Sequence, residues 1–176
     1  MVILPMSDLQ SWQPVIARAP EAGVSPAVDR SQTFDMLDYF AGSVAGTGLF
    51  QDRFGRVRLA FDVTMTGRWD GDAYRLGEVF RYDDGRTDTR EWLVRRDGDR
   101  GYTATADDIV GTAVGTAGMR DVQWRYRMRV PVGGRRITMS FDDRMYLRNN
   151  GVLLNVSEAR KFGLLMGRLT AVFNRR

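Results

Sequence analysis

The chain has 176 residues, 43% hydrophobic and 27% charged, an ordinary globular composition that predicts one domain with a sizeable core. Its net charge is +4, and among its 26 basic residues only Lys161 is a lysine, so arginine supplies nearly all the positive charge. Cysteine and histidine are absent, which excludes disulfides, Cys/His zinc or haem sites, cysteine nucleophiles and Ser-His-Asp triads.

Four of the five prolines, Pro5, Pro14, Pro20 and Pro26, lie near the start. Proline lacks an amide donor, so residues 1–30 read as an irregular arm that packs through Trp12, Val15 and Ile16 or stays loose. Residues 31–176 then form a single domain. It opens with a short helix over 33–41, capped by Ser31 or Thr33 and stopped at Gly42. The first residues lack a basic region ahead of their short apolar stretch, and no run of 18 apolar residues follows. A cytoplasmic protein is the expectation, with arginines allowing a peripheral contact to a membrane surface.

From Val44 the period becomes two. Val57, Leu59, Phe61, Val63, Met65 and Trp69 alternate with polar positions such as Arg58, Asp62 and Arg68, the pattern of a half-buried strand. Asp70-Gly71 marks a hairpin, and Tyr74, Leu76, Phe80 and Tyr82 continue on one face. Turns follow at Asp83-Asp84-Gly85, at 96–101, at Gly133-Gly134 and at Asn149-Asn150-Gly151. Between them, Trp92 and Val94 mark one strand, 102–117 a small-residue strand or pair of strands, and Val122, Trp124, Tyr126, Met128 and Val130 another. Ile137, Met139, Phe141, Met145 and Leu147 share a face, and 152–158 and 167–174 supply the last strands. Short links make neighbouring strands antiparallel. The prediction is an all-β, up-and-down meander of about 8–10 strands that closes into a lipocalin-like barrel, because closure removes exposed edges. Glycines 46, 48, 67, 77, 111 and 115 are read as points of strong coiling.

Three acids interrupt the inward face: Glu78 between Leu76 and Phe80, Asp143 between Phe141 and Met145, and Asp108 in phase with Tyr102. Such carboxylates are costly inside a barrel unless paired, hydrogen-bonded or protonated. Arg90, in phase with Trp92, is the natural partner. Three readings stay open. Either Glu78, Asp143 and Arg90 pair within a filled core, or they form a polar patch in a cavity, or a bulge shifts the register and returns an acid to water. In the second reading Trp69, Tyr82, Arg90, Trp92, Trp124, Tyr126 and Asn155 contact a ligand, and Glu78, Asp143 and Asp108 are the catalytic candidates. Asp107-Asp108 and Asp142-Asp143 are the acidic doublets placed on strands, where neighbours face opposite ways, so neither is a dyad alone. Asp83-Asp84-Gly85 and Asp97-Gly98-Asp99 lack the spacing of a calcium loop. Neither metal nor cofactor is expected.

Several stretches carry a resemblance: Tyr39-Phe-Ala-Gly42, Gly48-Leu-Phe-Gln-Asp-Arg-Phe-Gly55, Gly67-Arg-Trp-Asp-Gly71, Tyr82-Asp-Asp-Gly85, the run from Tyr102 to Ala113, Trp124-Arg-Tyr126, Phe141-Asp-Asp-Arg-Met-Tyr-Leu147, and Gly151-Val-Leu-Leu-Asn155 through Lys161-Phe-Gly163. Together they resemble a bacterial family of unknown function with a lipocalin- or calycin-like barrel, many of whose members are predicted lipoproteins. The resemblance implies a role in carrying or modifying lipids, with cyclopropane- or furan-type acyl chains as the chemistry, because genes of that family lie near fatty-acid methyltransferases and flavin oxidases. This sequence departs from the lipoprotein members in lacking the lipid-anchoring cysteine.

Three functions follow in order of preference. The first is binding of a lipophilic, fatty-acyl-type small molecule. The second is an enzyme or accessory component of fatty-acid modification using Asp or Glu as acid and base. The third is a scaffold that meets an anionic partner through arginine-rich strands such as Arg125, Arg127 and Arg129 beside Arg56, Arg58 and Arg68; nucleic acid is not the expected partner. The sequence leaves the oligomeric state open.

Overall fold

Alternation of apolar and charged residues builds ten antiparallel strands in the computed structural model, which describes residues 34–175. They are β1 (Gly42–Asp52), β2 (Val57–Asp70), β3 (Ala73–Tyr82), β4 (Thr87–Asp97), β5 (Gly101–Thr105), β6 (Ala113–Ala117), β7 (Asp121–Val132), β8 (Arg135–Leu147), β9 (Leu153–Lys161) and β10 (Leu164–Arg175). Each strand pairs with its chain neighbours, and β1 pairs with β10 to close the barrel. The up-and-down, lipocalin-like barrel is therefore observed. The expected arm, with Trp12, Val15 and Ile16, and the expected caps Ser31 and Thr33 lie outside the described residues.

The helix is shorter than the sequence predicts. It is a single turn, α1 (Met36–Tyr39), and Asp35 is its cap: the Asp35 carboxylate accepts from the Leu37 amide at 3.0 Å. Arg96 pairs with the other Asp35 oxygen and pins the cap to β4. Phe34 is drawn out of the helix because its amide donates to Met119 O at 2.8 Å. Gly42, at φ +78°, turns the chain directly into β1. The segment acts as a plug. Phe34, Met36, Leu37, Tyr39 and Phe40 are all buried in one end of the barrel, and the Tyr39 hydroxyl lies 3.0 Å from Phe173 O and 3.1 Å from Gly151 O.

The other end is the mouth, ringed by the hairpins β1–β2, β3–β4, β5–β6, β7–β8 and β9–β10. Val57 and Leu59 have the inward phase but lie out at this rim, 56% and 36% exposed. Residues 102–117 are two short strands, and Asp107-Asp108 sit in the loop between them rather than on a strand. That loop is made by the Ile109 amide donating to Ala106 O at 3.1 Å and by Gly111 at φ +77°. The last two strands extend further than 152–158 and 167–174, since Phe162 and Gly163 at φ +51° and +79° form a two-residue turn.

Glycines on the inner wall make room for rings rather than only for coiling. A Cβ at Gly46 would stand 2.5 Å from the Phe173 ring, and one at Gly48 2.8 Å from the Phe61 ring. Gly67 is the tightest contact with the plug. Its Cβ would stand 2.1 Å from the Tyr74 hydroxyl and 2.3 Å from Phe40 O. Gly67→Ala therefore overpacks a backbone contact that cannot yield, and a loss of about 1–3 kcal/mol is expected in urea unfolding. Gly77→Ala is the control: the nearest atom to its Cβ is 3.8 Å away, and its stability should match or slightly exceed that of the parent chain.

Candidate functional site

Between plug and mouth the side chains leave a cavity of about 130 Å³. Met36 and Phe40 form its floor, and Phe61, Val63, Met65, Leu76, Val94, Trp124, Leu169 and Phe173 form most of its apolar wall. Small residues Ala104 and Ala171 give it width. The polar groups reaching it are Glu78, Arg90, Tyr126, Asp143 and Asn155, so the period-two phase of β3, β4, β7, β8 and β9 delivers them to one place.

They form two linked groups. In the first, Arg90 holds two carboxylates. Its Nη2 and Nε donate to Asp108 Oδ2 at 2.7 and 3.0 Å, and its Nη1 to Glu78 Oε2 at 3.4 Å. The guanidinium also lies 5.7 Å from the Trp92 ring centre and 5.9 Å from that of Phe80. Glu78 and Arg90 face each other in the β3–β4 register. Asp108 arrives from the β5–β6 loop. Burial pushes the Glu78 carboxyl up, Arg90 and the Trp92 indole oppose the shift, and Asp108 and Asp143 add to it. Burial also works against the Arg90 charge, but Glu78 and Asp108 outweigh it and keep its pKa above the usual value.

In the second group, the Tyr126 hydroxyl donates to Asp143 Oδ2 at 2.8 Å. Burial pushes Asp143 up to about 6 against the pull of the Ser157 and Tyr126 hydroxyls beside it, and burial holds the Tyr126 phenol well above its ordinary value. Ser157 lies close enough to act on Asp143 electrostatically without reaching hydrogen-bond geometry: Asp143 Oδ1, Ser157 Oγ and Asn155 Oδ1 are buried without a partner. Unmet acceptors at a cavity wall are sites where a ligand donor is favoured. Among the described residues no group of three or more acids gathers to hold a metal ion, and Arg90 occupies the space between Glu78 and Asp108.

The structure thus brings together Glu78, Arg90, Asp108, Trp92, Trp124, Tyr126, Asp143 and Asn155. Two expected ligand contacts are corrected. Trp69 is 53% exposed and does not reach the cavity. It has the inward phase, but the plug ends at Phe40 beside Gly67, and Trp69 lies past it, edge-on to Tyr74 at 5.3 Å. Tyr82 is half-buried in the rim, 6.2 Å from the Phe61 ring and 6.3 Å from that of Phe80, and does not line the cavity. Sequence reasoning missed Met36, whose sulfur accepts from the Trp124 indole at 3.3 Å, and Ser157. The alternation Leu153, Asn155, Ser157, Ala159 signals Ser157; no local signal points to Met36.

A family model described as "Protein of unknown function (DUF3833)" matches residues 16–175. The chain belongs to the DUF3833 family. No curated protein matches it. Among solved structures it is similar to the S-type phycobiliprotein lyase CPES from Guillardia theta, at 8% identity and TM-score 0.55, over 80% of this chain and 90% of that one. At that identity the likeness shows the lipocalin-like fold alone. The DUF3833 barrel described here therefore draws its functional reading from its own cavity.

Asp143 makes stability depend on pH. Its folded pKa of about 6 exceeds the unfolded 3.8, so the folded chain binds the extra proton between these values. Stability is therefore fully present below the lower pKa and falls as pH rises through the upper one, by about 3 kcal/mol from this group. Glu78 acts in the same direction. Urea midpoints should fall between pH 4.5 and pH 7, and Asp143→Asn should flatten that slope; an unchanged slope would show that the carboxyl is not held protonated by burial.

Proposed function

We propose that the barrel binds a lipophilic small molecule of fatty-acyl type in the cavity between plug and mouth. The observation that carries this reading is the cavity itself: an apolar and aromatic wall bearing a few convergent polar groups, two of which, Asp143 and Asn155, keep unsatisfied acceptors. A barrel of the same fold in a phycobiliprotein lyase supports small-molecule handling at the level of architecture. The volume limits what enters. About 130 Å³ lies below the ~300–1,000 Å³ of pockets for drug-sized ligands and near the ~150 Å³ that holds a benzene ring. It accommodates the end of a chain, with the remainder running towards the mouth. Arg90 is already engaged by Glu78 and Asp108, so a free carboxylate head finds no unpaired cation inside; an apolar tail, an ester or a hydrogen-bond donor fits better. A cytoplasmic setting in bacterial lipid metabolism belongs to the same proposal.

Native mass spectrometry of the purified chain should show a bound lipophilic mass, and a fluorescent apolar probe should compete with it. Ala104→Leu fills the cavity from a buried wall position and should weaken the probe by roughly tenfold or more. Absence of bound ligand together with equal probe binding by Ala104→Leu would exclude a cavity site.

A second reading rests on Asp143, whose pKa of about 6 suits proton transfer near neutrality. In it the barrel catalyses, or assists, an acid–base step on an acyl chain, with Tyr126 orienting the carboxyl. Asp143→Asn and Glu78→Gln should then change lipid products in a strain that depends on this gene. Identical lipid profiles would leave binding alone.

A further inference from the structure

The mouth is chemically two-sided. Around it the hairpins follow the order β1–β2, β9–β10, β7–β8, β5–β6, β3–β4. The last two carry the acids Asp107, Asp83, Asp84 and Asp88, of which Asp84 is paired with Arg86 of the same turn at 2.7 Å. The first three present apolar side chains and cations. Phe162 at the β9–β10 tip is 91% exposed, Phe54 at the β1–β2 tip 70%, and Leu164 beside Phe162 65%. A bulky residue at φ +51°, as Phe162 is, costs backbone energy that glycine would avoid. That conformation holds the ring out in water, with Lys161 Nζ 4.6 Å from the ring centre. Phe54 is matched in the same way by Arg53 at 4.8 Å.

Several cations of this side are free of acids, while Arg58 pairs with Asp52 and Arg160 and Arg168 pair with Glu158. Arg53, Arg56, Lys161, Arg135 and Arg136 have no carboxylate within 4.0 Å among the described residues. The acids nearby are occupied: Asp52 Oδ1 accepts the Phe54 and Arg56 amides, and Glu158 is held by Arg160 and Arg168. The three tips are also joined. The Arg53 amide donates to Met166 O at 3.0 Å, and Lys161 Nζ to Thr138 O at 3.0 Å.

We propose that this lip, formed by the hairpins β1–β2, β9–β10 and β7–β8, docks the barrel mouth onto an anionic lipid surface. Phe54, Phe162 and Leu164 enter the headgroup–acyl boundary, and the unpaired cations meet the phosphates. Two adjacent tips each present a ring with its own cation, the pairing that an interface with an apolar and an anionic layer requires. The acidic lip on the far side tilts away from the same surface by repulsion, so the approach has one orientation. The surface stands whether or not the cavity holds a ligand. If it does, docking sets the mouth against the membrane from which an acyl chain would enter.

The test uses the full chain and vesicles of phosphatidylcholine with or without phosphatidylglycerol, read by co-sedimentation. The chain should sediment with the anionic vesicles and not with phosphatidylcholine alone, and release as salt rises. Phe54→Ser with Phe162→Ser should abolish sedimentation. Arg135→Gln with Arg136→Gln should weaken it by roughly tenfold or more, the worth of two cations near an anionic surface. Phe162→Gly removes the backbone strain, so it should raise the thermal midpoint while weakening vesicle binding, which separates docking from folding. Asp84→Asn, on the acidic lip, should leave binding intact or improve it. Failure of the wild-type chain to sediment at low salt overturns the proposal. So does equal sedimentation by the double serine variant, which would mean unspecific polyanion attraction, and so does a concentration-dependent dimer lost in that variant, which would assign the apolar tips to a second copy. Probe binding to the cavity, measured on the same variants, reports the ligand reading separately: it should be unchanged in all of them.

Discussion

The seam between β1 and β10 is the constraint on which everything else depends. Nine residues of β1, from Val44 to Asp52, pair with Arg175 to Gly167 at the other end of the chain. Without that pairing the meander would be an open sheet with two unpaired edges and two faces in water. With it, one face of every strand becomes an interior. The same phase that places Arg58, Asp62 and Arg125 outside then commits Glu78, Arg90, Tyr126, Asp143 and Asn155 to the inside. The wall at the seam is thin, since Gly46 and Gly48 give their space to Phe173 and Phe61, and those rings line the same cavity as the polar cluster.

Closure alone would leave a tube open at both ends. The Asp35-capped turn and Phe40 stop one end, and Gly67 is the position where plug and barrel touch most closely. The cavity is what remains between this plug and the rim. Its polar groups are arranged at a cost. A carboxylate inside a barrel is opposed by desolvation, and the chain offsets this for Glu78 and Asp108 with one guanidinium, but offers Asp143 only hydroxyls. A core selected for stability alone would place apolar side chains there. In the proposed binding role, the half-satisfied Asp143 at the cavity wall is where a ligand would donate its hydrogen bond.

The two ends of the barrel also differ in how they treat apolar surface. At the plugged end the aromatic side chains of residues 34–40 are buried to the last ring. At the mouth, Phe54, Phe162 and Leu164 are left outside in the company of unpaired cations. The contrast lies within one closed barrel, so it reflects placement rather than a general excess of hydrophobic residues.

The sequence by itself determined the strands, their antiparallel order and most of the inner face, because a period of two and tight glycine turns are local properties. It also determined that Glu78 and Arg90 share a face, since both are in phase with aromatic neighbours on adjacent strands. Closure decided the rest. Trp69 keeps the inward phase yet lies outside, because only the folded chain shows where the plug ends. Tyr82, Val57 and Leu59 fall at the rim for the same reason: phase says which face a residue takes, not how far along the barrel it lies. Asp108 reached Arg90 from a loop that the alternation of small residues disguised as a strand. Met36 became a cavity wall through a contact with Trp124 that spans 88 positions of the chain. These are long-range facts, fixed by which strand ends meet across the barrel, and no local pattern carries them.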